Sequence, residues 1–271
     1  MDEIDGRGVL YPARLPTFHR EPAPRALAGL VRWFWIPEWH LAPGRSSRQE
    51  VLAFPASNLT VEQAQVTLTG PTTRRSHRDL HGRGWAVGAL LRPAGIASLG
   101  IDPRSIRDSE SAFDAPGLIH DVTAAMTITD AAARRTRAAE EYAAWIADRL
   151  DPPDADGDLA NAMEDVIATD RSVIRVEDVA RRLGLSVRGV QRLAQRYVGV
   201  PPLAMIRRYR LQEAAQALRE DPGITVGQVA AELGYADQAH LCADFRAVLG
   251  FTPSAYRRGA APGEGSETPS G

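Results

Sequence analysis

The chain contains no lysine; every one of its 32 basic residues is arginine. Genomic base composition accounts for such a bias. Whatever its origin, it leaves each cationic contact to a planar, bidentate donor suited to phosphate and guanine edges. Cysteine is nearly absent too. The single Cys242 excludes an internal disulfide and any multi-cysteine zinc site. No apolar run is long enough to cross a bilayer, and the opening MDEIDGRG is acidic where a secretory signal is basic and then greasy. A soluble, cytoplasmic protein with no membrane partner is expected. No GxSxG elbow, Walker loop or HExxH occurs, and His77 and His81 have no partner at metal-ligand spacing. No catalytic residue, metal or cofactor is therefore expected.

What is present is enough apolar residue, 44% of 271, for two ordinary cores. The net charge of −2 is unevenly spread. Between Arg171 and Arg258 stand 14 Arg against 8 Asp and Glu, which puts about +6 there and about −8 on the remainder. A basic carboxyl third on an acidic body is the asymmetry of a nucleic-acid-binding domain joined to a control domain.

The basic third holds the strongest pattern, VEDVARRLGLSVRGVQRLAQRYVG from Val176 to Gly199. Val179, Ala180 and Leu183 recur at helical spacing, Gly184 ends the run, and Ser186 is placed to cap a second helix. That helix has Val190, Leu193 and Ala194 on one side and Arg188, Gln191, Arg192, Gln195 and Arg196 elsewhere. Two short helices about a glycine turn, the second basic and free of acids, describe a helix-turn-helix whose second helix enters a DNA major groove.

The motif occurs twice. VARRLGL from Val179 is matched by VAAELGY from Val229, fifty positions on; past the turn the offset is fifty-one, because Ala236 is extra. Ser186 then matches Asp237, Val190 matches Leu241, Gly199 matches Gly250 and Pro202 matches Pro253. Between the copies, residues 202–219 read as a connecting helix. Its apolar side is Leu203, Ile206, Leu211, Ala214, Ala215 and Leu218, and Arg207, Arg208 and Arg210 crowd the rest. Some eighteen residues at roughly 1.5 Å each span about 27 Å, against roughly 34 Å between neighbouring major-groove entries. One polypeptide can therefore present both second helices to one side of a duplex.

The region from Leu159 to Arg258 resembles the AraC/XylS family of bacterial regulators. The likeness is densest in ITVGQVAAELGYADQAHLCADFRAVLGFTPSAYRR, where Ala230, Gly234, Tyr235, Phe245, Gly250, Pro253, Tyr256 and Arg257 stand in the family's pattern. The resemblance implies DNA contacts at Val187, Arg188, Gly189, Gln191, Arg192 and Gln195 in the first module. In the second it implies Gln238, Ala239, His240, Cys242, Ala243 and Arg246. Arg196, Arg207, Arg208 and Arg246 would anchor phosphates or satisfy local acids, and His240 is left between base contact and helix packing. Two departures matter. Arg175 occupies the first helix's cap position, with Glu177 and Asp178 as partial compensation, and Ala194 replaces an aromatic. The second reading helix, with Ala243 and Asp244, is short of cations, so the first is expected to do most of the sequence reading.

The amino-terminal residues 1–125 read as mostly β, in short apolar runs at Leu30–Ile36, Glu50–Phe54, Leu59–Leu68 and Trp85–Leu91. In LVRWFWIPEW both faces of a strand are mainly apolar, which fits a sandwich or small-barrel interior. Trp33 and Trp35 are candidate small-molecule ligands' neighbours there; ordinary core is the alternative. SHRDLHGRG reads as a loop, and RPAGIASLGIDPRSI with SESAFDAPGL as a short helix with flanking loops. YPARLPTFHREPAPRALAGLVRWFWIPEW, GPTTR and GALLRPAGIASLGI resemble a sensor-type domain of uncharacterised function found ahead of this module. Residues 126–150 read as a helix with Ala139, Tyr142, Ala143, Ile146 and Leu150 on one face, for packing on the β domain or pairing with a second copy. DPPDADGD, 151–158, reads as the linker, and 259–271 as a disordered tail.

The expected fold class is α+β: a β-rich, cupin-like domain followed by an all-α tandem helix-turn-helix domain at 159–258, its modules at 176–198 and 226–249. The expected function is a DNA-binding transcription regulator, monomer or homodimer, acting on double-stranded DNA. RNA polymerase and a small-molecule effector are further candidate partners. Control by a protein partner stays open. An enzyme fused to a DNA reader, as in alkyl-transfer repair proteins, needs activated cysteines, and the lone Cys242 lies on the second reading helix.

Overall fold

Alternation dictates the strands. In the computed structural model, which describes residues 17–74 and 76–260, β4 (Asn58–Glu62) and β5 (Gln65–Thr69) bury Leu59, Val61, Val66 and Leu68 on one face. Asn58, Thr60, Thr67 and Thr69 take the other. The run expected from Leu59 to Leu68 is thus a hairpin, broken where Glu62, Gln63, Ala64 and Gln65 supply no apolar residue except one alanine. These strands belong to a seven-stranded antiparallel sheet with β1 (Thr17–Pro22), β2 (Val31–His40), β7 (Arg83–Trp85), β8 (Val87–Leu91) and β9 (Glu110–Ala112). Its order is β1-β2-β8-β4-β5-β9, with β7 pairing β2.

Along β2, Phe34 and Ile36 are buried toward a helical layer, and Trp33, Trp35 and Trp39 face the opposite way. The helical layer is α2 (Pro116–Ala125) and α3 (Ala131–Arg149), the latter capped by Asp130 on the Ala133 amide at 2.8 Å. Ala139, Tyr142, Ala143, Trp145, Ile146 and Leu150 are all buried against this sheet, and the Tyr142 hydroxyl donates to the Leu59 carbonyl at 2.7 Å.

A separate two-stranded ribbon, β3 (Ser46–Val51) with β6 (Ser76–His81), lies across the other face. Two expectations are corrected here. SHRDLHGRG is not a loop, because Ser76–His81 pairs along its whole length with Ser46–Val51. The Glu50–Phe54 run leaves the strand at Val51, and its remaining residues turn toward the carboxyl-terminal helices.

The expected linker is also corrected. Only 151–154 is irregular: Asp154 accepts from the Gly157 amide at 2.7 Å and starts α4 (Ala155–Thr169). Nor does α4 hang free, since it packs on α1 (Pro93–Ser98). The Asn161 side chain donates to the Gly29 carbonyl at 2.8 Å and accepts from the Ala94 amide at 3.1 Å.

The carboxyl-terminal helices follow the duplicated pattern: α5 (Val176–Leu183) and α6 (Val187–Tyr197), then α7 (Pro202–Glu220), then α8 (Val226–Glu232) and α9 (Gln238–Leu249), then α10 (Pro253–Ala260). The equivalence is geometric. Gly184 and Gly234 take positive φ of 65° and 71°, and Gly199 and Gly250 take 82° and 81°. The Leu185 and Tyr235 amides close the first helix of each copy by donating at 2.9 Å to the carbonyls of Ala180 and Ala230. Buried pairs Val179/Val229, Val190/Leu241, Ala194/Phe245 and Val198/Leu249 fill the two cores. Helix α7 threads both: Met205, Ile206 and Tyr209 lie in the first core, and Leu211, Ala214, Ala215 and Leu218 in the second. The expected tail lies outside the described residues apart from 259 and 260, which end α10.

Candidate nucleic-acid interface and cavity

Helix α6 begins where Ser186 accepts from the Gly189 amide at 3.1 Å, and α9 where Asp237 accepts from the His240 amide at 2.7 Å. Arg188, Gln191 and Arg192 on α6 are exposed, with Gln195 half-buried behind them. On α9, Gln238, Ala239, His240 and Arg246 are exposed, and the His240 ring meets Tyr235 edge-on at 5.1 Å. Among the described residues Arg188, Arg192 and Arg246 have no acidic partner.

Other members of the expected set are placed differently. Val187 is half-buried against the first core, and the Gly189 amide is engaged with the cap. Arg196 is exposed but pairs with Asp156 of α4 at 3.1 Å, and Arg207 lies 3.9 Å from Asp244. Arg208 is a correction. It is buried, its guanidinium donates to the carbonyls of Ala53 (2.9 Å) and Arg74 (3.0 Å), and burial lowers its pKa to about 10. It cannot also reach a phosphate in this arrangement.

The missing cap of α5 is made good from inside the helix. Asp178 accepts from the Arg175 amide at 3.1 Å and the Ile174 amide at 3.3 Å, half of a reciprocal capping box. Burial works against the Asp178 carboxylate, yet these amides and Arg181 hold its pKa below the ordinary value. Its contribution is therefore present at neutral pH and fades as pH falls through the acid range. Asp178→Ala is expected to cost about 1 kcal/mol, read as a lower urea midpoint with unchanged slope.

Sequence reasoning missed the seam between sheet and helices. Glu164 of α4 is buried between Arg32 of β2 (3.3 Å) and Arg92 after β8 (3.4 Å), and accepts from the Tyr209 hydroxyl of α7 at 3.0 Å. Arg92 also bonds Asp165 at 2.7 Å. Burial opposes the Arg32 charge, but Tyr209, Glu164 and Asp165 around it raise its pKa above the usual arginine value. The signal was there to read, as one arginine amid the aromatics of β2 and one glutamate on the apolar side of α4.

Between sheet and ribbon lies a cavity of about 750 Å³. Trp33 and Trp35, both expected at a pocket, line it together with Phe18, Trp39, Phe54 and the polar row of β4 and β5. Its wall at Leu52, Ala53 and Phe54 is also one of the places where the helical domain is attached. Gln212 donates to the Leu52 carbonyl at 3.2 Å and Arg208 to that of Ala53. The Phe54 ring lies 5.1 Å from Trp33 and 5.8 Å from Tyr209.

A β-sheet domain carrying a cavity, joined to a duplicated helix-turn-helix on one connecting helix, defines a two-part nucleic-acid-binding architecture. Residues 179–259 match a family model described as Helix-turn-helix domain, and residues 19–110 one described as Domain of unknown function (DUF6597). RhaS of Escherichia fergusonii, an HTH-type transcriptional activator, is 32% identical over 83 residues, 31% of this chain and 30% of RhaS. AarP of Providencia stuartii, described likewise, is 32% identical over 84 residues, 31% of this chain and 62% of AarP. The match thus spans less than a third of RhaS and less than two thirds of AarP. Apo ToxT from Vibrio cholerae superposes over 89% of this chain and 100% of that chain, with a TM-score of 0.48 and 10% identity. The carboxyl-terminal module is thus similar to the helix-turn-helix domains of these transcriptional activators.

Proposed function

We propose that the protein is a sequence-specific transcription regulator that reads two adjacent major grooves of double-stranded DNA through α6 and α9. One observation carries this reading. Two equivalent helices, mounted on a single shared helix, turn their arginine, glutamine and histidine side chains outward and bury their apolar ones. Arg188 and Arg192 suit guanine edges and Gln191 suits adenine; Arg207 and Arg246 suit phosphates. On this reading the protein acts in the cytoplasm and meets RNA polymerase at the promoter.

The cavity serves as the control site. Supporting this, the segment that walls it is the segment α7 holds, through Arg208, Gln212 and the Phe54–Tyr209 contact. A molecule that shifts the wall therefore shifts the helix on which both reading helices are mounted.

Selection from randomised DNA followed by footprinting tests the DNA reading. The expected result is one recovered sequence with two protected patches on one face, centred about one helical turn apart. Equal binding to all sequences, or a single patch, overturns it.

A further inference from the structure

On the cavity face of the sheet, Trp35 of β2 stands beside Gly88 of β8, Gly88 beside Thr60 of β4, and Thr60 beside Thr67 of β5. The row reads indole, no side chain, hydroxyl, hydroxyl. A Cβ at Gly88 would fall 2.1 Å from Trp35 Cε2 and 2.2 Å from Cζ2, so the indole lies over the glycine's backbone. The Trp35 ring N–H donates to Asn58 Oδ1 at 3.0 Å. With its donor satisfied and one face on β8, this side chain offers the cavity its other ring face.

The device recurs beside it. A Cβ at Gly84 would lie 2.4 Å from Trp39 Cζ2, and the Trp39 ring N–H donates to the His81 carbonyl at 3.1 Å. Phe18 on β1 stacks at an offset beside Trp35, its ring parallel within 7° at a centroid separation of 6.2 Å, and also lines the cavity. The floor is therefore wider than one six-membered ring.

The charges count against a cationic occupant. Arg20 already places a guanidinium 4.6 Å from the Trp33 ring, so a ligand cation at the aromatic end would meet like charge. Of the carboxylates that line it, Glu110 is bonded to Arg78, Asp79 to Arg48, Asp108 to Thr72 and Thr73, Glu62 accepts from Gln65, and Glu50 is likewise engaged. The volume suits a drug-sized molecule.

We propose that the cavity binds an uncharged, planar aromatic molecule of two or more fused rings, stacked on Trp35 and hydrogen-bonded at its rim by Thr60 and Thr67. This rests on the reading of the cavity as the control site. The test is calorimetry and thermal shift on the full chain with 2-naphthol, and with D-glucose, choline and octanoate as rival chemistries. The expected result is that 2-naphthol binds and raises the melting temperature. Gly88→Ala, which lifts the indole off the sheet, should weaken binding at least tenfold, and Thr60→Val, which keeps the shape, about threefold or more. Far-UV circular dichroism checks that both variants fold; should Gly88→Ala not fold, Thr60→Val decides.

No binding of 2-naphthol at millimolar concentration overturns the proposal. So does binding indifferent to these substitutions, or binding of a rival in its place. Because DNA is absent from this experiment, a failed footprint leaves its outcome intact. Naphthol binding that leaves DNA affinity unchanged retains the site but removes its control role.

Discussion

Arg192→Ala is expected to weaken the protein's preferred DNA site by about 1–3 kcal/mol and to relax selection at one base position. Arg192 stands exposed on α6 one turn beyond Arg188, and neither has an acidic partner among the described residues. A guanidinium free of local acids can offer both of its parallel N–H groups to a guanine edge. Its neighbours differ. Arg196 is engaged by Asp156, so Arg196→Ala should cost little and cost it equally on every sequence. Competition binding on the selected site and its single-base variants measures both. If the Arg192 loss is the same on all sequences and the salt dependence drops by about one unit, Arg192 is a phosphate contact instead. On α9 the corresponding surface has one free-standing arginine, Arg246, and Arg207 nearby is shared with Asp244. The first module is therefore expected to carry more of the discrimination than the second.

The second large effect is on stability. Glu164→Leu is expected to cost about 3–5 kcal/mol, because it strands the Arg32 guanidinium in a buried seam. Asp165 still serves Arg92, which keeps the loss toward the lower end. The seam joins β2, β8, α4 and α7, so the consequence is also one of cooperativity. All five tryptophans (Trp33, Trp35, Trp39, Trp85 and Trp145) lie on the sheet side, whereas most helix lies on the other. Tryptophan fluorescence and far-UV circular dichroism should give one coincident urea transition for the natural chain. In Glu164→Leu they should separate. Coincident curves with an unchanged midpoint would mean that the ion cluster contributes nothing to joining the two parts.

The helices of the two repeated modules were legible from local pattern. Connecting helix 202–219 is α7 (Pro202–Glu220), and modules at 176–198 and 226–249 match α5–α6 and α8–α9 within two residues. Ser186, Gly184 and Gly250 act over a few bonds, so a cap or a left-handed glycine can be read from its immediate neighbours. The apolar face of α3 was read equally well, since 3.6-residue periodicity is also local. The DPPDADGD stretch misled because aspartates that look like a solvated linker also make good helix starts: Asp154 caps α4, and Asp156 and Asp158 occupy its first turn. SHRDLHGRG misled because a two-stranded ribbon with polar faces lacks the alternation by which strands are recognised.

Arg208 shows where sequence reading stops. By its sequence it is one more arginine on a basic helix, equal to Arg207. Its partners are two backbone carbonyls, 155 and 134 residues away. Backbone carbonyls carry no residue identity, so no pattern announces them. Trp35 is similar: an aromatic on a strand could be read, but its posture over Gly88 depends on which strand pairs with β2. The amino acids alone determined that two equivalent helices exist and which side chains they turn outward, because caps, glycine turns and helical periodicity are short-range. Only the tertiary structure decided that a cavity forms beneath the ribbon, that Glu164 ties the parts together and that Arg208 faces inward. Those follow from pairings across the chain, whose energies depend on shape and burial at distant positions rather than on neighbouring residues.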